Sequence, residues 1–127
     1  MKFDTLSSTI VYTGRVYSLR KDIVRLPDGK TAQLDILVHG GGVAILPVDA
    51  QGRILFVTQY RQAVGQELLE LPAGTLETGE DPALAAHREI REEVGMSAGR
   101  LEKLGEFFLA PGYSSERMHV FLAADLQ

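Results

Sequence analysis

The sequence has no cysteine and no tryptophan. Without cysteine there is neither a disulfide framework nor a thiolate metal site. No apolar run approaches the ~18 residues of a membrane-crossing helix. The opening stretch MKFDTLSSTI has no signal-peptide core. The expectation is a cytoplasmic protein with no membrane partner. A concentration of basic charge is missing too. The net charge is −4, and between Glu67 and Met96 eight acids face two bases, a local charge of −6 against +2 for the remainder. A nucleic-acid groove would be basic, so no nucleic-acid partner is expected. The acidic stretch is instead suited to cations. With 127 residues, 45% hydrophobic and 24% charged, the chain is globular and long enough to bury one core.

No internal repeat or low-complexity tract is present. Residues 9–38 read as strands: RVYSLRKDIVRL, the turn PDGK, then TAQLDILV form a hairpin. After the break HGGG come VAILPV and RILFVTQY, joined by the turn DAQG and predicted to pair with each other. GQELLELPAG then leads into the loop TLETGE. One helix is strongly marked. Asp81 suits its N-cap and Pro82 its first position; Gly95 suits its C-terminal cap. Ala83, Ala86, Ile90 and Val94 make one apolar stripe, with the neighbouring glutamates expected beside that stripe rather than on it. LEKLGEFFLA, the loop PGYSSER and the strand MHVFLAA follow. The pattern is α+β or mixed α/β.

The segment REIREEVGM packs Glu89, Glu92 and Glu93 into five residues. On a helix they share an arc of roughly 100°. Like charges at i,i+3 and i,i+4 cost a few tenths of a kcal/mol per pair, and the helix C-terminus disfavours anions. Two readings are open. One is a solvated acidic face partly neutralised by Arg88 and Arg91. The other is a divalent-cation site, because Mg²⁺ takes hard oxygen ligands shared with phosphates and water.

The stretch GTLETGEDPALAAHREIREEVGM resembles the Nudix hydrolase box. Its fixed positions are met by Gly74, Glu80, Arg88, Glu89, Ile90, Glu92, Glu93, Gly95 and Met96. The resemblance implies an α-β-α sandwich with a mixed sheet, in which the box is a loop–helix–loop. It implies hydrolysis of a nucleoside diphosphate linked to another moiety. Glu89, Glu92 and Glu93 would be metal ligands, Glu93 foremost. Arg88 would hold a glutamate, Glu92, in place, and Gly74 would permit a tight loop. Gly74, Glu80 and Gly95 would be structural. Two or three Mg²⁺ ions, with Mn²⁺ as a substitute, would serve as cofactor.

The flanks resemble the ADP-ribose pyrophosphatase subfamily: QYR at Gln59–Arg61, LPAG before the box, and APGYSSE after it, with Pro111 fifteen residues past Met96. That resemblance implies an N-terminal antiparallel β-strand region, 1–41, used in a homodimer, ahead of a Nudix domain at 42–127. The subfamily's closing strand and helix would lie beyond the 31 residues that follow the box. The carbonyl of Ala73 would be a further metal ligand. Glu92 and Glu116 would be catalytic, Glu116 by activating or positioning water, with Arg88 in support. Arg61 would contact a phosphate and Pro111 would position the loop. Tyr17, with Tyr12, would stack on the base. The substrate would be ADP-ribose, split to AMP and ribose 5-phosphate. Alternatives are GDP-mannose or another sugar nucleotide, a dinucleoside polyphosphate (Tyr113 lies seventeen residues past the box), or a non-catalytic nucleotide sensor. The NADH-type signature contains a tryptophan, which this chain lacks.

Overall fold

A computed structural model describes residues 1–127. The chain divides into two compact units, one of residues 1–41 and 108–117, the other of 42–107 and 118–127.

The first unit is built on three antiparallel strands, β1 (Asp4–Thr13), β2 (Tyr17–Arg25) and β3 (Thr31–His39), in that spatial order. Alternation and β-branched residues favour strands here. Two register shifts, at Thr5/Ser7 and Ile10/Tyr12, bend β1 against β2. Every residue of β1 is exposed, Ile10, Val11 and Tyr12 included. Asp22 and Val24, on one face of β2, are buried. A buried carboxylate needs partners, and Asp22 has two: the Ser8 hydroxyl donates at 2.7 Å and Arg20 Nε at 3.0 Å. The Ser8 bond, then Arg20, outweighs burial and holds the Asp22 carboxyl below its ordinary 3.8.

The second unit is a mixed four-stranded sheet with one helix. Its strands are β4 (Gly42–Pro47), β7 (Ala73–Thr75), β8 (Ala98–Phe108) and β9 (Arg117–Leu126), ordered β7-β4-β9-β8. β4 runs antiparallel to β7 and parallel to β9. β5 (Val57–Arg61) and β6 (Gln66–Glu70) form a separate antiparallel hairpin. The expected pairing of VAILPV with RILFVTQY is therefore corrected. Only the bridge Val48↔Ile54 joins those segments. The apolar run of β4 suits a central strand, and its edges are taken by β7 and β9.

Helix α1 (Pro82–Glu89) runs into a π-turn at Ile90–Val94 that ends at Gly95, whose φ of 73° is left-handed. Asp81 caps it, accepting from the backbone N–H of Ala83 and Leu84. Both ends were thus legible in the sequence. The face was not. Ala85, Ala86 and Ile90 pack with Val43 and Ile45 of β4 and Phe121 and Ala123 of β9, whereas Val94 stays outside that cluster. The i→i+5 bonding of a π-turn alters the angular step and carries Val94 off the stripe. Glu89 follows Ala85 by four residues and Ala86 by three, so it shares their buried face. Only 6% of it is exposed, against the expectation that it lies beside the stripe.

A depressed folded-state pKa contributes stability above the unfolded value and loses it as pH falls through the folded value. Wild type is therefore expected to be more stable than Asp22→Asn above about pH 4, with the gap closing on further acidification. Urea melts across the acid range check this; a gap independent of pH would contradict it.

Candidate active site

The loop before the helix is held by a reciprocal turn. Glu80 N–H donates to the Glu77 carbonyl at 3.0 Å, and Glu77 N–H donates to Glu80 Oε1 at 3.1 Å. Gly79 takes the positive φ of 74° that this turn needs. The turn aims the Glu80 carboxylate at Arg88. Arg88 Nε and Nη2 donate to its two oxygens, each at 2.9 Å, a bidentate fork. The same guanidinium reaches Glu89 Oε1 at 2.8 Å, Glu92 Oε2 at 3.3 Å and the Thr75 carbonyl at 3.3 Å. The expected hold on Glu92 is present, but it is the longest of the arginine's carboxylate contacts. Glu80 is the principal partner.

Charges respond accordingly. Arg88 and the backbone N–H of Glu77 hold the Glu80 carboxyl below the usual glutamate range. Glu80, foremost, and Glu89 keep Arg88 firmly protonated. Glu89 goes the other way. Burial pushes its carboxyl up, Arg88 pulls it down, and Glu92 and Glu93 push it up again. A carboxylate so placed would gain from a cation. Glu92 and Glu93 are exposed.

Gly74 lies in β7 opposite Val43 and is absent from the positive-φ glycines. Its role is thus not the tight loop expected of it. A Cβ at Gly74 would fall within the carboxylate of Glu89. The missing side chain makes room for that carboxylate against β7. No group of three or more histidine, aspartate or glutamate side chains is placed to hold a metal ion. A Mg²⁺ site needs no such group, because its protein ligands are usually one or two carboxylates, with waters and substrate phosphates completing the octahedron.

Arg61 is on the β5–β6 hairpin. Its guanidinium grips Glu70, Nε to Oε2 at 2.8 Å and Nη2 to Oε1 at 2.6 Å. Glu70, and at longer range Glu93, reinforce its protonation. In the sequence Glu70 is only an acid nine residues after Arg61; the β5–β6 hairpin is what brings the two together.

The second unit therefore brings together Ala73, Gly74, Glu80, Arg88, Glu89 and Glu92, with Gly95 closing the helix. Pro111, Tyr17 and Glu116 belong to the first unit. Tyr17 opens β2 opposite His39 and is 43% exposed. Pro111 is exposed and Glu116 half-buried on the loop between β8 and β9. That loop and Leu34 and Ile36 of β3 line a hollow of about 250 Å³.

Forcing a Cβ into the Glu89 carboxylate is overpacking, which typically costs about 1–3 kcal/mol. Gly74→Ala is expected to destabilise wild type by that order and to cost much less in a Glu89→Ala background. A double-mutant cycle by urea melts measures the coupling; additive costs would contradict the contact.

Residues 38–127 match the NUDIX domain, and residues 3–33 match the nucleoside diphosphate sugar hydrolase N-terminal domain. The chain is 44% identical over 126 residues to an ADP-ribose pyrophosphatase of Mycobacterium tuberculosis, covering 98% of this chain and 61% of that one. It is 40% identical over 122 residues to an ADP-ribose pyrophosphatase of Bacillus subtilis, covering 96% and 66%. The chain thus spans about three fifths to two thirds of these relatives' length. A crystal structure of an ADP compounds hydrolase shares the fold at a TM-score of 0.88 and 24% identity, over the whole of this chain and 69% of that one. With the box intact and the domain match covering most of its length, this chain belongs to the Nudix family.

Proposed function

We propose that the protein hydrolyses the diphosphate of a nucleoside diphosphate sugar, ADP-ribose foremost, giving AMP and ribose 5-phosphate with Mg²⁺ as cofactor. The observation that carries this reading is the buried Glu89 carboxylate. Its burial and its acidic neighbours leave it short of positive charge despite Arg88. The names of the two bacterial relatives supply the substrate. The match of residues 3–33 to a domain described for nucleoside diphosphate sugars is equally compatible with GDP-mannose or another sugar nucleotide as second reading.

The proposed ligands are Glu89, Glu92, Glu93 and the Ala73 carbonyl, holding two or three ions, with Mn²⁺ able to replace Mg²⁺. When bound, the cations neutralise the diphosphate and acidify water. Arg88 orients Glu89 and Glu92 through its N–H donors. Arg61 offers a donor fork that fits phosphate, and substrate must compete for it with Glu70. Glu116 is proposed to accept the proton of the attacking water, Pro111 to shape its loop, and Tyr17 to contact the base. Such chemistry rests on positioning and electrostatics more than on covalent catalysis. The fully exposed β1, with Leu6, Ile10 and Val11 on show, supports a homodimer through the N-terminal strands. No helix is long and apolar enough to cross a membrane.

Turnover of ADP-ribose is expected with Mg²⁺, lost in EDTA and restored by added Mg²⁺. Glu93→Gln is expected to lower kcat by about 10²–10³-fold, the scale of losing one transition-state stabiliser, without shifting the urea midpoint. Coupled phosphate release from AMP or ribose 5-phosphate reads both. Turnover that persists in EDTA would refute the mechanism; no turnover of any sugar nucleotide would favour a sensor.

A further inference from the structure

The loop that carries Glu116 is not loosely tethered. Its base is closed by Leu109 N–H donating to the Glu116 carbonyl at 3.1 Å. At its tip, the N–H groups of Tyr113 and Ser114 both donate to the Ala110 carbonyl, at 3.1 and 2.9 Å. Its outgoing limb lies along the edge of β3 that β2 leaves free. There Leu37 N–H donates to the Tyr113 carbonyl at 2.7 Å, and Ser115 N–H donates to the Leu37 carbonyl at 2.9 Å. These bonds make one rung of a parallel ladder, Leu37↔Ser114.

The next rung is made by a side chain. Ser115 Oγ accepts from His39 N–H at 3.0 Å and donates to the His39 carbonyl at 3.3 Å. One hydroxyl thus satisfies both backbone groups of His39, as a peptide unit of a longer strand would. A second serine acts within the loop: Ser114 Oγ accepts from Glu116 N–H at 3.2 Å. None of these bonds uses the Glu116 carboxylate. The backbone on either side of it is fixed and the carboxylate is left for other work.

We propose that Ser115 is a positioning residue: its hydroxyl extends the β3 ladder by one rung and thereby fixes where Glu116 presents its carboxylate to the attacking water. This rests on the role proposed above for Glu116. Ser114 assists by holding the Glu116 N–H, and the rung at Leu37 sets the register from which both serines act.

The experiment compares wild type with Ser115→Ala, Ser115→Thr and Glu116→Gln, in kcat and KM for ADP-ribose with saturating Mg²⁺, and in amide hydrogen exchange. Ser115→Ala is expected to lower kcat roughly 10- to 100-fold, the penalty of a small misplacement at a reacting group, with KM little changed. Exchange at His39 is expected to quicken while exchange at Ile45, in the other unit's core, is unmoved. Ser115→Thr keeps a hydroxyl and is expected to restore both readouts. Unchanged exchange at His39 would overturn the clamp, as would quickened exchange with wild-type kcat. A Glu116→Gln variant with wild-type kcat would overturn the reading of Glu116 and the proposal with it. An inactive Glu116→Gln beside a fully active Ser115→Ala would overturn the clamp alone.

Discussion

The Arg88 guanidinium donates to Glu80, Glu89, Glu92 and the Thr75 carbonyl, so the loop, the helix and β7 are tied to one another through one side chain. Removing one partner from a buried ion pair typically costs about 3–5 kcal/mol, because the other charge is left uncompensated. Arg88 is three-quarters covered and Glu89 more deeply so. The arginine is therefore a structural requirement before it is a functional one. It balances only part of the glutamates' charge. Glu80 makes this division possible. By taking the bidentate side of the fork, it keeps Arg88 from being spent wholly on Glu89 and Glu92.

Gly74 meets the same constraint from the sheet side. Glu89 turns toward β7, where any side chain at Gly74 would displace its carboxylate. The buried acid, the bare glycine and the arginine are one arrangement. A carboxylate on the apolar face of a helix would otherwise be a packing defect. Here it is held between a strand and a guanidinium.

Local rules accounted for much of this. The helix limits were legible because Asp81, Pro82 and Gly95 act on their own backbone. The REIREEVG pattern marked the acidic cluster and the family. Sequence could not show which carboxylate takes the better half of the arginine, since Glu80 and Arg88 meet only once the Glu77–Glu80 turn has formed. Nor could it show Glu89 as buried, because Ala85 was not counted in the stripe that fixes the packed face. The pairing of β4 with β7 and β9 joins residues far apart in sequence, whereas the turn DAQG suggested a local hairpin. The attachment of residues 113–115 to β3 uses backbone groups and the Ser115 hydroxyl, and such contacts leave no periodic signature.

The carboxylates held by Arg88 are proposed to form a cation site in the folded protein. The most direct measurement is thermodynamic stability against Mg²⁺ concentration, by urea melts at fixed ionic strength with EDTA as reference. A ligand that binds only the folded state stabilises it by about 1.4 kcal/mol for each tenfold rise above its Kd. That rise is expected in wild type and is expected to be lost in Glu89→Gln. Stability that is the same in Mg²⁺ and in EDTA would contradict it.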